Sequence, residues 1–536
     1  MSDGRHAGWP DTPPEPLSDP ASAPAPARTA SAGTGAPTNA AAATPSAAPS
    51  GAVLGFLALA GPMVVSRLGL AAMGIADGVM LARYSTEQLA LHGLADPLVG
   101  RLFEVSMAFL IAGMALAAQA RAGGREQQLQ VGQVWHQALL LAVGCGLAGA
   151  LLGAFGTPLL ALAGQGPALA RGAGPVIGVL CLGMVPALLA MATAGVLEAI
   201  GRPVVVVVAV VVANGLNIAL NSVLIWGVDT LLLPGGLQLH IPALGAVGAA
   251  WSTTGVRVVL AVALLAAAWW LPQRVQFGLR RSYTRRDWQA GAEQRARGLS
   301  AAGGVAVLAG VGLGLPVMAG WLGTQSVAEM TLVFLALAPC MVVAWGLSDA
   351  AGLQIANQLG QHGGARQLRR SGLLIGACSA AILVLLCAAI LVSPQALLAV
   401  LTPDAVLANR VLALLPLAML AVVLDGLSFV CINALRSLGE LRRPFLLQLW
   451  FGLALLALAA ALGFGAGWGV AGLLLAQVLA AVGRSVALAR LYLRCAGALA
   501  ATAAPAANTS TTPHTTPHTG LHAGAPQQAI QHTKPA

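Results

Sequence analysis

Charge is scarce in this 536-residue sequence. Asp, Glu, Lys and Arg together supply 9% of it, where an average soluble domain carries roughly a quarter. With 57% hydrophobic residues, so long a chain cannot keep a soluble surface wet, and the sequence reads as a membrane protein. Aromatic residues are also few, at 4%. No stacking cage for a planar ligand is evident, and Phe334, Trp345 and Phe429 are the rings placed for cation–π contacts. There is no CxxC pair and no histidine beside a cysteine. Cys145, Cys181, Cys340, Cys378, Cys387, Cys431 and Cys495 all lie in or at the ends of apolar runs, where they read as small apolar residues. The net charge of +10 is not gathered in one basic, aromatic-interleaved patch, which argues against a nucleic-acid partner. Also missing is a charged start leading into a short apolar core, so the first membrane helix is expected to direct insertion.

What the sequence has in plenty is apolar run. Stretches long enough to cross a bilayer of about 30 Å recur near 53–82, 92–118, 134–156, 174–198, 203–226 and 244–270, and again near 300–322, 328–354, 371–392, 405–435, 444–464 and 469–494. The expected fold is an all-α membrane protein of twelve transmembrane helices in two six-helix bundles, at 51–272 and 300–495. Between them lies a basic linker, 273–299, and on either side low-complexity tails, 1–50 and 496–536, expected to be disordered. In the second tail His514, His518 and His522 are four apart, but Pro513 and Pro517 oppose the helix that would bring them together.

The arginines set the expected topology. Seven of them, from Arg274 to Arg297, sit in the linker, and with Arg121, Arg125, Arg202, Arg366, Arg369, Arg370, Arg442, Arg443, Arg490 and Arg494 they fall on one side of a twelve-helix arrangement. The opposite side holds Arg83, Arg171 and Arg410. That bias places the linker and both termini in the cytoplasm. The two halves are also copies. Tyr84 to Ala90 aligns with Leu322 to Ala328, Gln119 with Asn357, and Ile200-Gly201 with Leu438-Gly439, each pair 238 residues apart. A duplicated unit with an even number of helices enters the membrane twice in the same direction, giving parallel repeats with a cavity between them.

Ionisable groups inside a bilayer are costly and mark function by default. Asp77, late in the first helix, and Asp425, midway along the tenth, have no basic residue within four positions, so neither has an ion-pair partner on its own helix face. A carboxylate in that position either takes a proton or binds a cation, and either event can couple a gradient to a conformation. Both are candidate cation-coupling residues. Glu104 has Arg101 three positions earlier, the spacing of a structural pair. Glu198 and Asp349 are expected to be solvated or capping groups near helix ends. Asn214, Asn217 and Asn221 form one stripe on the fifth helix and must line either a packing seam or the central cavity. Pro62, Pro186 and Pro416 are expected bend points.

Several patterns resemble one known family, the multidrug and toxic compound extrusion (MATE) transporters, across roughly residues 53 to 494. They are Pro62 with Asp77, Thr86 to Ala90, Gln119 to Gly124, Asn217-Ile-Ala-Leu-Asn221, Gly245 to Ala250, Asn357-Gln-Leu-Gly360, and Asp425 eight residues before Asn433-Ala-Leu-Arg436. The Asn-x-x-x-Asn pattern resembles the NorM-like bacterial branch. The resemblance implies two six-helix bundles around a cleft, and export of organic cations across the inner membrane in exchange for sodium or protons. It also implies no cofactor, no metal beyond a transported sodium at Asp77 or Asp425, a small cationic substrate in contact with membrane lipid, and a monomer. One departure stands out: the NorM-like branch carries a Glu in the seventh helix, and between Ser300 and Leu322 this sequence has no acid. Two rivals are weaker. A flippase for lipid-linked oligosaccharide or peptidoglycan precursors shares the architecture but needs basic residues facing a pyrophosphate, and the embedded arginines here are Arg67, Arg101, Arg257, Arg436 and Arg484. A membrane-embedded prenyl transferase needs clustered acids to hold Mg²⁺, and no two core acids are close enough in sequence to form such a motif.

Overall fold

The structure, a computed structural model, describes residues 49–122, 125–232, 238–360 and 364–503. The expectations for most of both tails, the three spaced histidines included, lie outside those residues. Where the described residues meet the tails, helix is found: the first helix begins at Pro49 and the last runs to Ala503.

The first bundle is built from α1 (Pro49–Tyr84), α2 (Thr86–Ala122), α3 (Arg125–Ala154), α4 (Pro167–Leu182, resuming as Met184–Ala199), α5 (Pro203–Leu224) and α6 (Gly245–Trp270). The second comprises α7 (Ala292–Gly312, continued by Gly314–Trp321), α8 (Thr324–Ala336, then Ala338–Gly360), α9 (Ala365–Val392), α10 (Ala405–Ser437), α11 (Arg442–Gly465) and α12 (Gly469–Ala503). Helix is dictated by the surroundings, because in hydrocarbon every backbone N–H and C=O must be satisfied within its own segment. Among the described residues, eleven of these helices are long and apolar enough to cross a membrane when each bent pair counts as one span. α2 completes the twelve, with 37 residues spanning about 55 Å at 1.5 Å per residue.

Small residues let the helices approach. Gly146, Gly149 and Gly153 form a stripe on α3, where an added Cβ would meet Val185, Met184 and Cys181 of α4. This is the close packing that small residues permit between apolar helices. Proline acts unevenly. Pro186 and Pro339 each lack an N–H and crowd the carbonyl four residues back, and α4 and α8 break just before them, at Gly183 and Leu337. The α8 break bends the axis by 54°. Pro62 and Pro416 lie inside continuous helices. The bend in α1 comes instead between Val53–Gly69 and Ala71–Tyr84, at 50°.

Two local features depart from the expected layout. A two-stranded hairpin, Val228–Leu232 against Gln238–Ile241, joins α5 to α6, with Val228 opposite Ile241 and Leu232 opposite Gln238. The linker is shorter than 273–299, because α7 starts at Ala292. A short helix, Arg285–Ala290, precedes it, begun by a capping box between Thr284 and Asp287. The Thr284 hydroxyl bonded to Asp287 holds that carboxyl below the usual Asp range. The linker is seated on α3: Gln133 donates to Asp287 at 2.6 Å and Gln137 to the Gly291 carbonyl at 2.7 Å.

The buried cores show how the two bundles meet. On the side away from the linker, the far side, one continuous core takes in Leu81, Leu89 and Leu169 of the first bundle with Leu315, Leu332 and Leu407 of the second. On the linker side the core divides. Trp135, Leu197, Leu264 and the linker's Phe277 form one part, and Leu347, Ile355, Leu435 and Tyr492 the other, joined by Phe56 and Ala60 from the start of α1. α1 therefore begins against the second bundle and ends in the first.

Candidate functional site

Asp77 lies two turns beyond the α1 bend, and it is 3% exposed. Its carboxylate accepts from Asn221 Nδ2 of α5 at 2.6 Å and from Thr253 Oγ1 of α6 at 2.6 Å. Asn221 Nδ2 also donates to Asn217 Oδ1 at 3.2 Å. Asn217 Nδ2 donates in turn to Thr253 Oγ1 at 3.3 Å and Ser252 Oγ at 3.5 Å, and Ser252 donates back to the Asn217 carbonyl. Both direct contacts donate to the carboxylate, an arrangement suited to its ionised form. One acceptor is left over: Asn221 Oδ1 is buried and has no partner among the described residues, and a buried polar atom of that kind calls for an occupant. His92 of α2 is buried close enough to feel the Asp77 charge, as does Arg257 of α6, which is held by the Leu180 carbonyl at 3.3 Å.

Asp77, Asn217 and Asn221 are thus brought together from two helices, two of the three amides of the α5 stripe lying in the Asp77 cluster. Asn214 is not in the cluster. It donates to the Gly69 carbonyl at 3.2 Å and to Val210 of its own helix. Gly69 ends the first limb of α1, so this amide supplies a donor at the bend.

Asp425 requires a correction. The local spacing offered no basic partner, but α12 supplies one: Arg484 Nη2 bonds Asp425 Oδ1, and Gln477 Nε2 donates to Oδ2 at 3.1 Å. Arg484 Nε also reaches Ser428 Oγ at 3.3 Å. The pair is well enclosed, with side-chain exposures of 19% for Arg484 and 10% for Asp425.

A third polar cluster lies toward the linker side. Asp349, expected to be a solvated or capping acid, pairs with Arg67 of α1 at 2.7 Å and accepts from Asn433 of α10 at 3.3 Å, and Arg436 donates to Asn433. Asp349, Asn433, Arg436 and Ser437 border a cavity of about 340 Å³. Next to it, Ala351, Ile355, Gly376, Leu427, Val430 and Tyr492 border an apolar one of about 300 Å³. Arg101 and Glu104 form their expected pair at 2.7 Å on the surface of α2.

The far side is held shut between the bundles by polar contacts. Thr86 donates to Asp404 at 2.7 Å, Gln165 to the Val317 carbonyl at 3.0 Å, and Trp321 Nε1 to the Ala163 carbonyl at 2.7 Å. Asp404 is also the N-cap of α10, and the Leu407 amide with the Thr86 hydroxyl holds its carboxyl below the usual Asp range. Gly93 of α2 packs so closely on Thr331 of α8 that an added Cβ would overlap it.

Sequence reasoning missed Thr253 and Gln477, and it named Arg484 as embedded without joining it to Asp425. Two signals were present. Ser252-Thr253-Thr254 interrupts an apolar helix, and Arg484 is the one charge between Gly469 and Ala489.

Comparison with known proteins agrees with this architecture. The MatE family model matches residues 62–223 and 301–458, one match in each bundle. The probable multidrug resistance protein NorM of Caulobacter vibrioides is 28% identical over 74% of this chain and 82% of its own length, and that of Synechococcus sp. 29% identical over 79% and 90%. Among solved structures, an inward-facing multidrug resistance MATE transporter superposes with a TM-score of 0.67 at 18% identity, covering 81% of this chain and 96% of its own. A eukaryotic MATE transporter gives 0.60 at 17%, covering 85% and 99%. With twelve helices in two repeated bundles and a family match in each of them, the chain belongs to the MatE family of membrane transporters.

Proposed function

We propose that this transporter exports cationic amphiphiles, drugs among them, across the inner membrane by alternating access, in exchange for sodium ions or protons, with the linker and both termini in the cytoplasm. The observation that carries the coupling is the Asp77 cluster, a buried acid held by neutral donors only, beside an unpartnered acceptor on Asn221. A sodium ion would engage Asp77 and Asn221 Oδ1. A proton would sit on Asp77 and turn the Thr253 hydroxyl. Alternating access is supported by the cores, continuous between bundles on the far side and divided on the linker side, as in a state whose outer gate is closed. The apolar cavity near Val430 suits the hydrophobic part of an amphiphile. The arginine pattern speaks against the flippase reading: Arg67, Arg101 and Arg484 are each neutralised by an acid, and the remaining two, Arg257 of α6 and Arg436 of α10, lie in different bundles, which leaves no cluster for a pyrophosphate. The test is transport by purified protein in vesicles, with a sodium or proton gradient imposed and a library of cationic dyes as cargo. Accumulation against the dye gradient under either ion supports the reading, and equilibration indifferent to both refutes it.

A further inference from the structure

The two bundle acids differ in kind, and the difference predicts how many ions the protein moves. At Asp77 the direct donors are an amide and a hydroxyl, and both are neutral. At Asp425 the direct donors are a guanidinium and an amide, so the site is already neutral as a whole. The internal repeat shows that these are separate constructions. At the offset of 238 residues, Asp77 falls on Leu315, Asn217 on Leu455 and Asn221 on Ala459, so the second bundle holds hydrocarbon where the first holds its acid and amides. α6 and α12 do correspond. Each opens on a glycine at positive φ, Gly245 and Gly469, and eight residues on each presents a donor, Thr253 to Asp77 and Gln477 to Asp425. The second bundle has therefore kept the donor position, moved the acid to α10 and placed an arginine on the same face of α12, two turns beyond Gln477.

We propose that Arg484 is the resident cation of the second bundle: it occupies Asp425 throughout the cycle, so that a coupling ion is exchanged at Asp77 alone and one coupling ion moves per turnover. The inference rests on the coupled-antiport reading above. The geometry favours permanence. Arg484 is fixed twice on α10, at Asp425 and at Ser428, and Ser485 beside it bonds both Ser428 Oγ and the Leu424 carbonyl. All of these groups belong to the second bundle, so rocking of one bundle against the other breaks none of them. α7 carries no acid from Ser300 onward and its one acid, Glu293 in the first turn, pairs with Arg297, so among the described residues α7 offers Asp425 no partner for a second cation.

The test uses the full chain in vesicles with no membrane potential, ethidium as the cationic probe, and whichever of sodium or proton gradients drives it. At balance the accumulation ratio is the ion gradient raised to the number of ions exchanged per probe. One ion gives about tenfold accumulation for a tenfold gradient, and two give about a hundredfold. The expected results are about tenfold for wild type, and the same slope for the charge-neutral pair Asp425→Asn with Arg484→Gln. Arg484→Gln alone, which bares the acid, is expected to depart from that slope. A hundredfold ratio in wild type would overturn the proposal while leaving antiport intact, as would a neutral pair that is monodisperse and inert. Equilibration under both gradients would overturn the antiport reading and this inference with it. Should the neutral pair fail to fold, the wild-type slope decides, together with cation binding to purified protein, expected at one ion per chain and abolished by Asp77→Asn.

Discussion

Replacing Asp77 by Asn removes one charge and almost no volume, which makes it the cleanest probe of the first-bundle site. The new side chain can keep the Asn221 bond on Oδ1 and turn its NH₂ toward Thr253 Oγ1, whose hydroxyl then has to rotate away. The folding cost is that of one rearranged neutral hydrogen bond, about 0.5–1.5 kcal/mol. The cost to a bound cation is larger. A unit charge about 4 Å from the carboxylate, at an effective dielectric near 20, gains about 4 kcal/mol, which is on the order of a thousandfold in affinity. Asp77→Asn is therefore expected to express and melt nearly as wild type, yet to lose gradient-driven accumulation and to bind the coupling ion about a thousandfold more weakly. The assay pairs dye accumulation in vesicles with equilibrium binding of radioactive sodium, or with proton uptake measured by electrode. Uphill accumulation by Asp77→Asn at the wild-type level would refute the assignment, because no other described acid in the first bundle is held by neutral donors alone.

Three further outcomes are expected. Asp404→Ala removes the α10 cap and the Thr86 contact, and should lower stability by about 1 kcal/mol at neutral pH. Because the Asp404 carboxyl is depressed below its usual 3.8, its contribution is complete above that value and fades as pH falls through the folded-state value. The gap between wild-type and Asp404→Ala melting should narrow below about pH 4, and a gap unchanged by acid would count against the contact. Gly93→Val forces α2 off Thr331 of α8 and should disfavour the far-side-closed state by about 1–3 kcal/mol, read as a longer spin-label distance between the bundles on that side. Arg285→Cys should resist a membrane-impermeant maleimide added to intact cells, and labelling there would reverse the topology.

The architecture was legible because a bilayer leaves the backbone few choices. Apolar run length gave twelve helices, and the constant spacing of Tyr84/Leu322, Gln119/Asn357 and Ile200/Leu438 gave the repeat. Bends were less legible. Pro186 and Pro339 mark breaks while Pro62 and Pro416 ride inside helices, so the proline alone does not decide where a helix breaks. The α1 bend is supported from outside its own sequence, by an Asn214 donor 145 residues away. The Val228–Leu232 hairpin went unread because a strand of so few residues has no periodicity to separate it from loop.

For the site, scarcity was informative and spacing was not. Acids are rare enough in the apolar runs that Asp77 and Asp425 stand out at once, but the test applied to them, a basic residue within four positions, samples a single helix face. In a bundle most of the groups that meet a side chain come from other helices. Asp77 takes its donors from 144 and 176 residues away, and Asp425 takes its guanidinium from 59. The better question is whether each embedded arginine has an acid to neutralise it. Arg67 finds Asp349, Arg101 finds Glu104 and Arg484 finds Asp425. Asp77 has no ion pair among the described residues: hydroxyl and amide donors hold it directly, and Arg257, which feels its charge, bonds the Leu180 carbonyl instead. A buried carboxylate so supported keeps its charge at a tolerable cost and still has room for a mobile positive ion, and that combination sets it apart from the equally buried Asp425.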